Sequence, residues 1–301
     1  MNIAEHEIGP AEPVFLVAEL GVTSGGDVKR ACALVDAVAA AGAHAAKFIV
    51  TDPEKIMASR DRLFEYATTD YVGVLKGAMT PLYLERTKAR PLYDLLAETR
   101  FTFDEWVTIR DYCHTRGVIF FATADHLEAV AMLEALQVPA HKLSAWDIAY
   151  RPLLHAMRAT GKPVLVDVGT ATREEVYAAM PEEHHLLFVH SPHPPDWQMS
   201  RMRHFFCPEY PVGFASPGRE SWCDFVALGG GACLLEKRLT LRRDEPTGHH
   251  HAISLEPDEF RDWVKLIRQA EAALREDPFG GSDAAWAERR KYDRNAEGKR
   301  P

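Results

Sequence analysis

The sequence predicts an α/β fold in which eight parallel strands alternate with helices. Short runs of β-branched and other apolar residues recur along most of the chain. Most of these runs are followed by a stretch that carries apolar residues at helical spacing. Such alternation is typical of parallel strands joined by crossover helices. The chain has 301 residues, of which 47% are hydrophobic, and this is enough for one large core.

The predicted strands are short and strongly apolar. In chain order they cover residues 14–18, 45–50, 118–122, 141–144, 164–167, 186–190, 211–214 and 232–236. Helices are predicted between them, and the boundaries of residues 103–116 are the clearest. Thr102 is suited to the N-cap of that helix and Gly117 to its end. The other predicted helices cover residues 28–41, 127–136, 152–160 and 257–274.

Eight strand–helix units over about 260 residues fit a TIM (β/α)8 barrel. A doubly wound open sheet is the alternative, and the number of strands alone does not exclude it. Residues 19–27, after the first strand, lack the glycine spacing of a dinucleotide-binding fingerprint. We therefore predict a single barrel domain over residues 14–277, an N-terminal extension over 1–13 and a short polar tail over 278–301.

A long insertion follows the second predicted strand. Residues 51–100 show little regular periodicity and contain several aromatic side chains. Loops of this length in compact domains are usually functional or mobile. We therefore expect a functional or mobile loop beside the barrel.

Composition excludes several functional classes. A net charge of −9 argues against binding to nucleic acid or to anionic lipid. No apolar run approaches the roughly 20 residues that a membrane span requires, and residues 1–13 do not resemble a secretory signal. The five cysteines are odd in number and widely scattered. Reduced thiols in a cytoplasmic protein are the simplest interpretation.

Polar side chains lie at the ends of most predicted strands, where TIM barrels carry their active sites. Several lysines meeting there indicate an anionic ligand such as a phosphate or a carboxylate. A buried lysine in such a mouth is alternatively a Schiff-base nucleophile. The candidates are Glu19, Lys47, Thr123, Lys142, Ser144, Asp147, Asp167, His190, Glu236, Lys237 and Arg238.

Each candidate also has a structural interpretation. A carboxylate such as Glu19 is as often a salt-bridge partner as a catalyst, and a single lysine at a strand end is more often structural. His190 fits a core histidine and a site residue equally well. The three histidines at 249–251 resemble a metal site. Adjacent side chains on an extended loop point apart, however, so a solvated loop is the favoured interpretation.

Motifs at nearly every strand end resemble those of the sialic acid synthase family. The sequence A-E-L-G at 18–21 is similar to the family's A-E-I-G, and V-P-A-H-K-L at 138–143 to its V-P-A-x-K-I. Further similarities are K-F at 47–48, F-A-T at 121–123, G-K-P-V at 161–164, E-K at 236–237 and S-L-E-P at 254–257. The resemblance extends over residues 14–275.

This resemblance implies a barrel that condenses phosphoenolpyruvate with an aldehyde sugar or sugar-like acceptor, giving a 2-keto-3-deoxy acid and phosphate. Such a carbon–carbon bond-forming transferase serves carbohydrate or specialised-metabolite biosynthesis. Glu19, Lys47, Thr123 and Lys142 match family residues around phosphoenolpyruvate. Asp147 lies where the family has an acidic residue near the sugar. In the family a divalent metal, Mn²⁺ or Mg²⁺, polarises the aldehyde.

The departures from the family pattern concentrate on the metal side of the site. The two metal-binding histidines correspond to Pro217 and Arg238, which cannot ligate a divalent ion through their side chains. A divalent metal is therefore doubtful, with His190 and His250 as weak alternative ligands. The serine of the fifth-strand S-T-G motif corresponds to Asp167, and that of the Lys142 motif to Ala145, beside Ser144. The chain also ends where the family continues into an antifreeze-like domain.

We interpret Glu19, Asp147 and Arg238 as catalytic residues, with Arg238 supplying the positive charge that a metal provides elsewhere. The expected partners are phosphoenolpyruvate and an aldehyde, without nucleic acid or membrane, and a homodimer is left open. Two alternatives remain: a non-catalytic relative that binds an anionic metabolite or partner, and a Schiff-base aldolase that uses Lys142 or Lys47. The expected substrate-binding residues are Lys47, Thr123, Lys142, Ser144, Asp167, His190 and Lys237.

Overall fold

Eight parallel strands hydrogen-bond to one another in a closed cycle. The strands in chain order are β1 (Asn2–Ile3), β2 (His6–Glu7), β3 (Phe15–Glu19), β4 (Ala45–Val50), β5 (Leu63–Val74), β6 (Pro81–Pro91), β7 (Ile119–Ala124), β8 (His141–Leu143), β9 (Val164–Asp167), β10 (Leu186–His190), β11 (Val212–Ala215) and β12 (Leu234–Arg238). The order of the strands around the barrel is β3–β4–β7–β8–β9–β10–β11–β12. The computed structural model describes residues 1–74, 81–179, 186–192, 211–275, 287, 288, 290–292 and 299. The predicted α/β barrel is confirmed, and its eight strands are the predicted ones.

Helices follow most of the barrel strands on the outside. They are α1 (Val28–Ala41), α2 (Pro53–Ile56), α3 (Leu92–Ala97), α4 (Phe103–Thr115), α5 (Leu127–Ala135), α6 (Arg151–Arg158), α7 (Arg173–Ala179), α8 (Trp222–Gly229) and α9 (Pro257–Arg275). The predicted N-terminus of α4 is a capping box, in which Glu105 N–H donates to Thr102 Oγ1 and Thr102 N–H donates to Glu105 Oε2. Gly117, at a φ of +65°, lies just beyond its C-terminal end.

The insertion after the second barrel strand is an ordered hairpin, which corrects the expected loop. Strands β5 and β6 pair in antiparallel register over their length, and α2 and α3 flank them. Most side chains of β5 are exposed or only half-buried, and Thr69 is its one buried residue. Because neither face of the ribbon is fully buried, the sequence carries no clear alternation of apolar and polar residues.

A second, short hairpin lies at the opposite end of the barrel. Strands β1 and β2 pair through Asn2–Ile3 and His6–Glu7, and Ile3 joins the buried core. The His6 ring contacts Phe15, the first residue of β3, at 5.6 Å between centroids. This end of the barrel is therefore filled by apolar and aromatic side chains, and the polar residues concentrate at the carboxyl ends of the strands.

Four cysteines among the described residues are free thiols, as predicted, and Cys207 lies outside the described residues. The predicted tail over residues 278–301 lies largely outside the described residues as well. None of the described helices is both long enough and apolar enough to cross a membrane.

Candidate functional site

An ion-pair network occupies the carboxyl-terminal end of the barrel interior. Lys47 of β4 forms an ion pair with Glu19 of β3. Its Nζ also lies 3.3 Å from Oε1 of Glu236, on β12. Lys142 of β8 donates to the other carboxylate oxygen, Oε2, of Glu236 at 2.7 Å. Glu236 therefore bridges two lysines that come from different strands.

Thr123 and Asp167 extend the network on either side. Lys47 Nζ donates to Thr123 Oγ1 at 3.3 Å. Asp167 Oδ2, at the end of β9, lies 3.9 Å from Lys142 Nζ, and its Oδ1 accepts from the Gly169 N–H at 3.0 Å. A β-carbon at Gly169 would lie 1.8 Å from the backbone oxygen of Ser191. A glycine is therefore required where these two loops meet.

The network is deeply buried, and both of its lysines are paired with carboxylates. Its members are between 2% and 8% exposed: Glu19, Lys47, Thr123, Lys142, Asp167 and Glu236. Burial opposes ionisation of Glu236, but Lys142 and Lys47 outweigh it and lower the pKa of Glu236 to about 2. Burial likewise opposes the charge on Lys47, and Glu19 and Glu236 outweigh it and raise the pKa of Lys47.

Asp167 behaves differently from Glu236. Burial raises the pKa of Asp167, and the opposing attraction of Lys142 does not cancel this effect. Asp167 is thus more readily protonated than Glu236. With Asp167 ionised, Lys47 and Lys142 face three carboxylates, whereas protonation of Asp167 balances the charges.

Arg238 lies at the end of β12, beside the network. Its backbone pairs with Glu19 across the β12–β3 ladder, and its Nη1 donates to the Pro217 backbone oxygen at 3.0 Å. The two residues at the family's metal-ligand positions are therefore joined by a hydrogen bond. A guanidinium and a proline carbonyl do not form a divalent-metal site. Within the described residues, no group of three or more ligand-type side chains is arranged to hold a metal ion.

His190 and His250, the two weak candidates for metal ligands, contact aromatic rings. His190 is completely buried and its ring contacts that of Phe214, on the neighbouring strand β11. His250 contacts the rings of His249 and Phe64. Both rings thus pack against aromatic side chains, and the donor set that the described residues place at this rim does not fit a divalent ion.

Asp147 and Ser144 lie in the loop between β8 and α6, outside the network. The Ser144 Oγ accepts from the Trp146 N–H at 3.3 Å, and its backbone oxygen accepts from the Asp147 N–H at 3.0 Å. Burial, together with the charge of Asp125, raises the pKa of Asp147 to about 7. Asp147 therefore exchanges a proton near neutral pH.

Lys237 points away from all of these residues. Its Nζ contacts Asp224 Oδ2 at 2.8 Å, Ser216 Oγ at 2.8 Å and the Glu220 backbone oxygen at 2.7 Å. Adjacent strand residues face opposite sides of a sheet. Because Glu236 faces the barrel interior, Lys237 lies between β12 and the outer helix α8. We therefore exclude Lys237 from the site, contrary to the sequence prediction.

The histidine loop is buried, so the expected solvated loop is wrong. His249 and His251 are each 4% exposed. The His249 ring packs edge-on against Phe64 and Tyr66 of the β5–β6 hairpin, at 5.8 and 6.1 Å between centroids. Burial, followed by the charges of His251 and Arg238, lowers the pKa of His249 to about 3. The ring is therefore neutral, and its Nδ1 has no hydrogen-bond partner among the described residues.

The hairpin thus covers the Arg238 side of the rim, which sequence reasoning missed. The aromatic content of residues 51–100 was the available signal, because it marked a surface that needs a partner. Tyr83 of β6 confirms the contact, since its hydroxyl donates to Glu256 Oε1 at 2.5 Å and Arg243 lies over its ring. The hairpin is held against the segment between β12 and α9.

Comparison with solved structures supports the fold. An N-acetylneuraminic acid synthetase from Leptospira borgpetersenii aligns with a TM-score of 0.77 and 22% identity, over 96% of this chain and 95% of its own. A truncated 3-deoxy-D-arabino-heptulosonate 7-phosphate synthase from Thermotoga maritima aligns with a TM-score of 0.65 and 11% identity, over 91% and 92%. Both show the same barrel fold.

Sequence comparison identifies the family. The spore coat polysaccharide biosynthesis protein SpsE of Bacillus subtilis is 27% identical over 91% of this chain and 72% of its own length. The N,N'-diacetyllegionaminic acid synthase of Legionella pneumophila is 23% identical over 88% and 74%. The N-acetylneuraminate-9-phosphate synthase of Mus musculus is 24% identical over 89% and 73%. The model of the NeuB family matches residues 34–278, which is most of the chain, and the protein therefore belongs to the NeuB family.

Proposed function

We propose that the protein condenses phosphoenolpyruvate with an aldehyde acceptor, giving a 2-keto-3-deoxy acid and inorganic phosphate. The observation that carries this proposal is the meeting of Lys47 and Lys142 across Glu236 at the carboxyl ends of three strands. Two cations at the active end of a TIM barrel suit a small phosphorylated acid. The names of the relatives, which include sialic and legionaminic acid synthases, support the same reaction class.

In this proposal Lys47, Lys142 and Thr123 hold the carboxylate and phosphate groups of phosphoenolpyruvate. Its C3 carbon forms a bond to the aldehyde carbon, and the aldehyde oxygen gains the negative charge. Arg238 stabilises this oxygen and Asp147 protonates it. Water, oriented by Glu19, then adds to the C2 cation and loses one proton, which restores the proton of Asp147. The C2–O bond to phosphate breaks as the C2 hydroxyl becomes the keto group, and the hydroxyl proton leaves with the phosphate.

Phosphate release from phosphoenolpyruvate tests this function directly. The purified chain is incubated with a panel of aldehydes that includes N-acetylmannosamine, and inorganic phosphate and the product mass are measured. We expect aldehyde-dependent release that Lys142→Met abolishes. The control is Lys162→Met, because Lys162 pairs with Glu134 at the surface, outside the network. Release that is equal in wild type and Lys142→Met contradicts the proposal.

A non-catalytic binding function is the second candidate, and one observation favours it. Arg238 donates to the Pro217 backbone oxygen at 3.0 Å, so the two positions that carry metal ligands in the family pattern do not fit the ion that polarises the aldehyde. Calorimetric titration with phosphoenolpyruvate separates the two functions. Binding without phosphate release across the whole aldehyde panel supports the second candidate and rejects the first.

The network does not favour a Schiff-base aldolase. A lysine nucleophile must be neutral, which requires a lowered pKa. Glu19 and Glu236 instead raise the pKa of Lys47 despite its burial. The Nζ of Lys142 donates to a Glu236 carboxylate oxygen at 2.7 Å, so this nitrogen is held in an ion pair and is not free to attack a carbonyl group.

A further inference from the structure

The loop after β7 carries an aspartate–histidine pair that the proposed function does not use. The Nδ1–H of His126 donates to Oδ1 of Asp125 at 2.7 Å, and each side chain is only 11% exposed. An ionised carboxylate only accepts hydrogen bonds, so Asp125 keeps the proton of the neutral ring on Nδ1. The other ring nitrogen, Nε2, has no hydrogen-bond partner among the described residues and can accept a proton.

The pair lies at the carboxyl-terminal end of the barrel, next to the ion-pair network. Strand β7 stands between β4 and β8, so its loop leaves the rim between Lys47 and Lys142. Thr123 Oγ1 accepts from Lys47 Nζ, and Thr123 is the register partner of Lys142. His126 follows Thr123 by three residues, which span at most roughly 10 Å. The pair is therefore close to the two lysines that hold phosphoenolpyruvate in the proposed function.

Asp147 is a third acid–base group at this part of the rim. It lies in the loop after β8, and β7 and β8 are hydrogen-bonded neighbours. Burial raises the pKa of Asp147, and the nearby charge of Asp125 raises it further. Among the described residues Asp147 has no ion-pair partner. Its carboxylate therefore readily takes up a proton after it has given one away.

The other charged groups near the pair are already matched. Lys55 Nζ donates to Glu128 Oε1 at 2.6 Å, and both of these side chains are largely exposed. The charge of His126 acts on Glu128 only weakly, after its pairing with Lys55. Asp147 is therefore the carboxyl group at this part of the rim that can receive a proton from the pair.

Helix capping does not account for the histidine. His126 occupies the N-cap of α5, and its side chain makes no hydrogen bond to the first turn of the helix. Serine, threonine, aspartate and asparagine stabilise this position, because their short side chains accept from the free N–H groups. The ring of His126 is instead bonded to Asp125. A role in stability alone would favour a different residue type here.

We propose that His126, oriented by Asp125, takes the proton of the attacking water and returns it to Asp147. The inference rests on the proposed function, in which water adds to C2 and Asp147 has protonated the aldehyde oxygen. As the bond from the water oxygen to C2 forms, Nε2 accepts one proton from that water. The imidazolium then gives a proton to the Asp147 carboxylate, directly or through one water. The ring is neutral again, and Asp147 is ready for the next aldehyde.

Phosphate release by His126→Asn tests the proposal. Asparagine is a favoured capping residue, so the midpoint of urea unfolding should stay the same or rise. Calorimetric affinity for phosphoenolpyruvate should remain within about twofold of wild type. The rate of phosphate release with saturating substrates should fall about 10²–10⁴-fold, the usual contribution of a general base. His114→Asn is the matched control, because His114 is exposed on α4, and it should keep the wild-type rate.

Chemical rescue separates a proton carrier from a structural histidine. His126→Ala should lose the same activity, and added imidazole should restore part of it in proportion to the concentration of neutral imidazole. Imidazole should leave the rate of His114→Asn unchanged. Asp125→Asn should also lower the rate, because a neutral amide does not hold the ring in the required tautomer.

Four results overturn the proposal while the proposed function stands. These are a rate of His126→Asn within about twofold of wild type, a joint loss of stability and phosphoenolpyruvate affinity in that variant, no imidazole rescue of folded His126→Ala, and an unchanged rate in Asp125→Asn. Failure of the proposed function gives a different result. In that case wild type releases no phosphate with any aldehyde, and the role of His126 is rejected with it.

Discussion

The Oδ2 of Asp167 lies 3.9 Å from the Nζ of Lys142, on the neighbouring strand. Asp167 corresponds to a serine in the sialic acid synthase pattern, so an acidic group stands where the resemblance implies a hydroxyl. This carboxylate opposes the approach of a phosphorylated acid to Lys142. In the proposed function, phosphoenolpyruvate therefore competes with Asp167 for Lys142. A substitution of Asp167 should change the affinity for phosphoenolpyruvate.

Asp167→Asn should bind phosphoenolpyruvate more tightly than wild type at pH 8. Removing one negative charge about 5 Å from the ligand changes the affinity by about 10- to 100-fold at an intermediate effective dielectric. Calorimetric titration measures the change. Asp125→Asn is a suitable comparison, because Asp125 lies near Asp147 rather than Lys142. Equal or weaker binding by Asp167→Asn shows that Asp167 does not oppose the ligand.

The same competition predicts a pH dependence of binding. Burial raises the pKa of Asp167, and a bound anion raises it further. Binding should therefore take up a proton, and wild-type affinity should increase as the pH falls toward the raised pKa of Asp167. In Asp167→Asn this part of the dependence should disappear. Titrations in two buffers of different ionisation enthalpy measure the proton uptake, and identical uptake in both proteins refutes the linkage.

Most of the fold could be predicted, because the signals for it are local. The eight apolar runs, the Thr102 cap and Gly117 each depend on neighbours within a few residues. The β5–β6 hairpin could not be predicted, because half-exposed strands carry no strong alternation. The orientation of Lys237 could have been predicted, because adjacent residues of a strand face opposite sides of the sheet and Glu236 faces the interior.

The members of the ion-pair network could be predicted as residues of the strand ends, but Lys237 was wrongly assigned to them and the electrostatics could not be predicted. The positions of Lys47 and Lys142 follow from the strand ends, but their pairing with Glu236 depends on closure of the barrel through β12. The burial of His249 depends on Phe64, which lies far away in sequence, in a segment without regular periodicity. Long-range contacts of this kind leave no pattern in the local sequence.

Arg238→Ala should lower the rate of condensation by about 10²–10³, the usual effect of removing one preorganised donor to a developing oxyanion. Binding of phosphoenolpyruvate should change little, because Arg238 donates to the Pro217 backbone oxygen and is assigned by the proposal to the acceptor. Phosphate-release kinetics with a saturating aldehyde give the rate, and titration gives the affinity. A rate within twofold of wild type shows that Arg238 does not stabilise the acceptor oxygen.

Asp147 should control the alkaline side of the activity profile. With a pKa of about 7, it is protonated below neutral pH and loses its proton above it. As a proton donor it predicts a value of kcat/KM that falls as the pH rises through about 7. Asp147→Asn should lose most of the activity at every pH. If an active Asp147→Asn variant shows the same fall of kcat/KM above pH 7 as wild type, the group that titrates is not Asp147.

The stability of the fold provides an independent check on Asp147. A carboxyl whose folded pKa is raised from 3.8 to about 7 stabilises the fold below pH 4 relative to pH 8, and this contribution is lost as the pH rises toward 7. Asp147→Asn should therefore be more stable than wild type at pH 8, by about 2–4 kcal/mol. At pH 4 the difference in unfolding free energy between variant and wild type should be smaller. Urea denaturation at both pH values measures this difference, and a difference that is the same at pH 4 and pH 8 contradicts the raised pKa.

Breaking the Lys237–Asp224 pair should destabilise the protein without involving the site. Both side chains are completely buried, and Trp263 Nε1 also donates to Asp224 Oδ2, at 2.9 Å. Lys237→Met leaves Asp224 as an uncompensated buried charge, which typically costs about 3–5 kcal/mol. Urea denaturation should show this loss. Lys55→Met, which breaks an exposed pair with Glu128, should remain close to wild type.

The double variant Lys237→Met with Asp224→Leu decides the cause of that loss. Replacing both partners removes the stranded charge, so a substantial part of the stability should return, although Trp263 then lacks its acceptor. Phosphoenolpyruvate binding should be the same in the double variant and in wild type, because Lys237 lies on the outer face of β12 and Glu236 on the inner face. Weakened binding in a stably folded double variant would show that Lys237 does contribute to ligand binding.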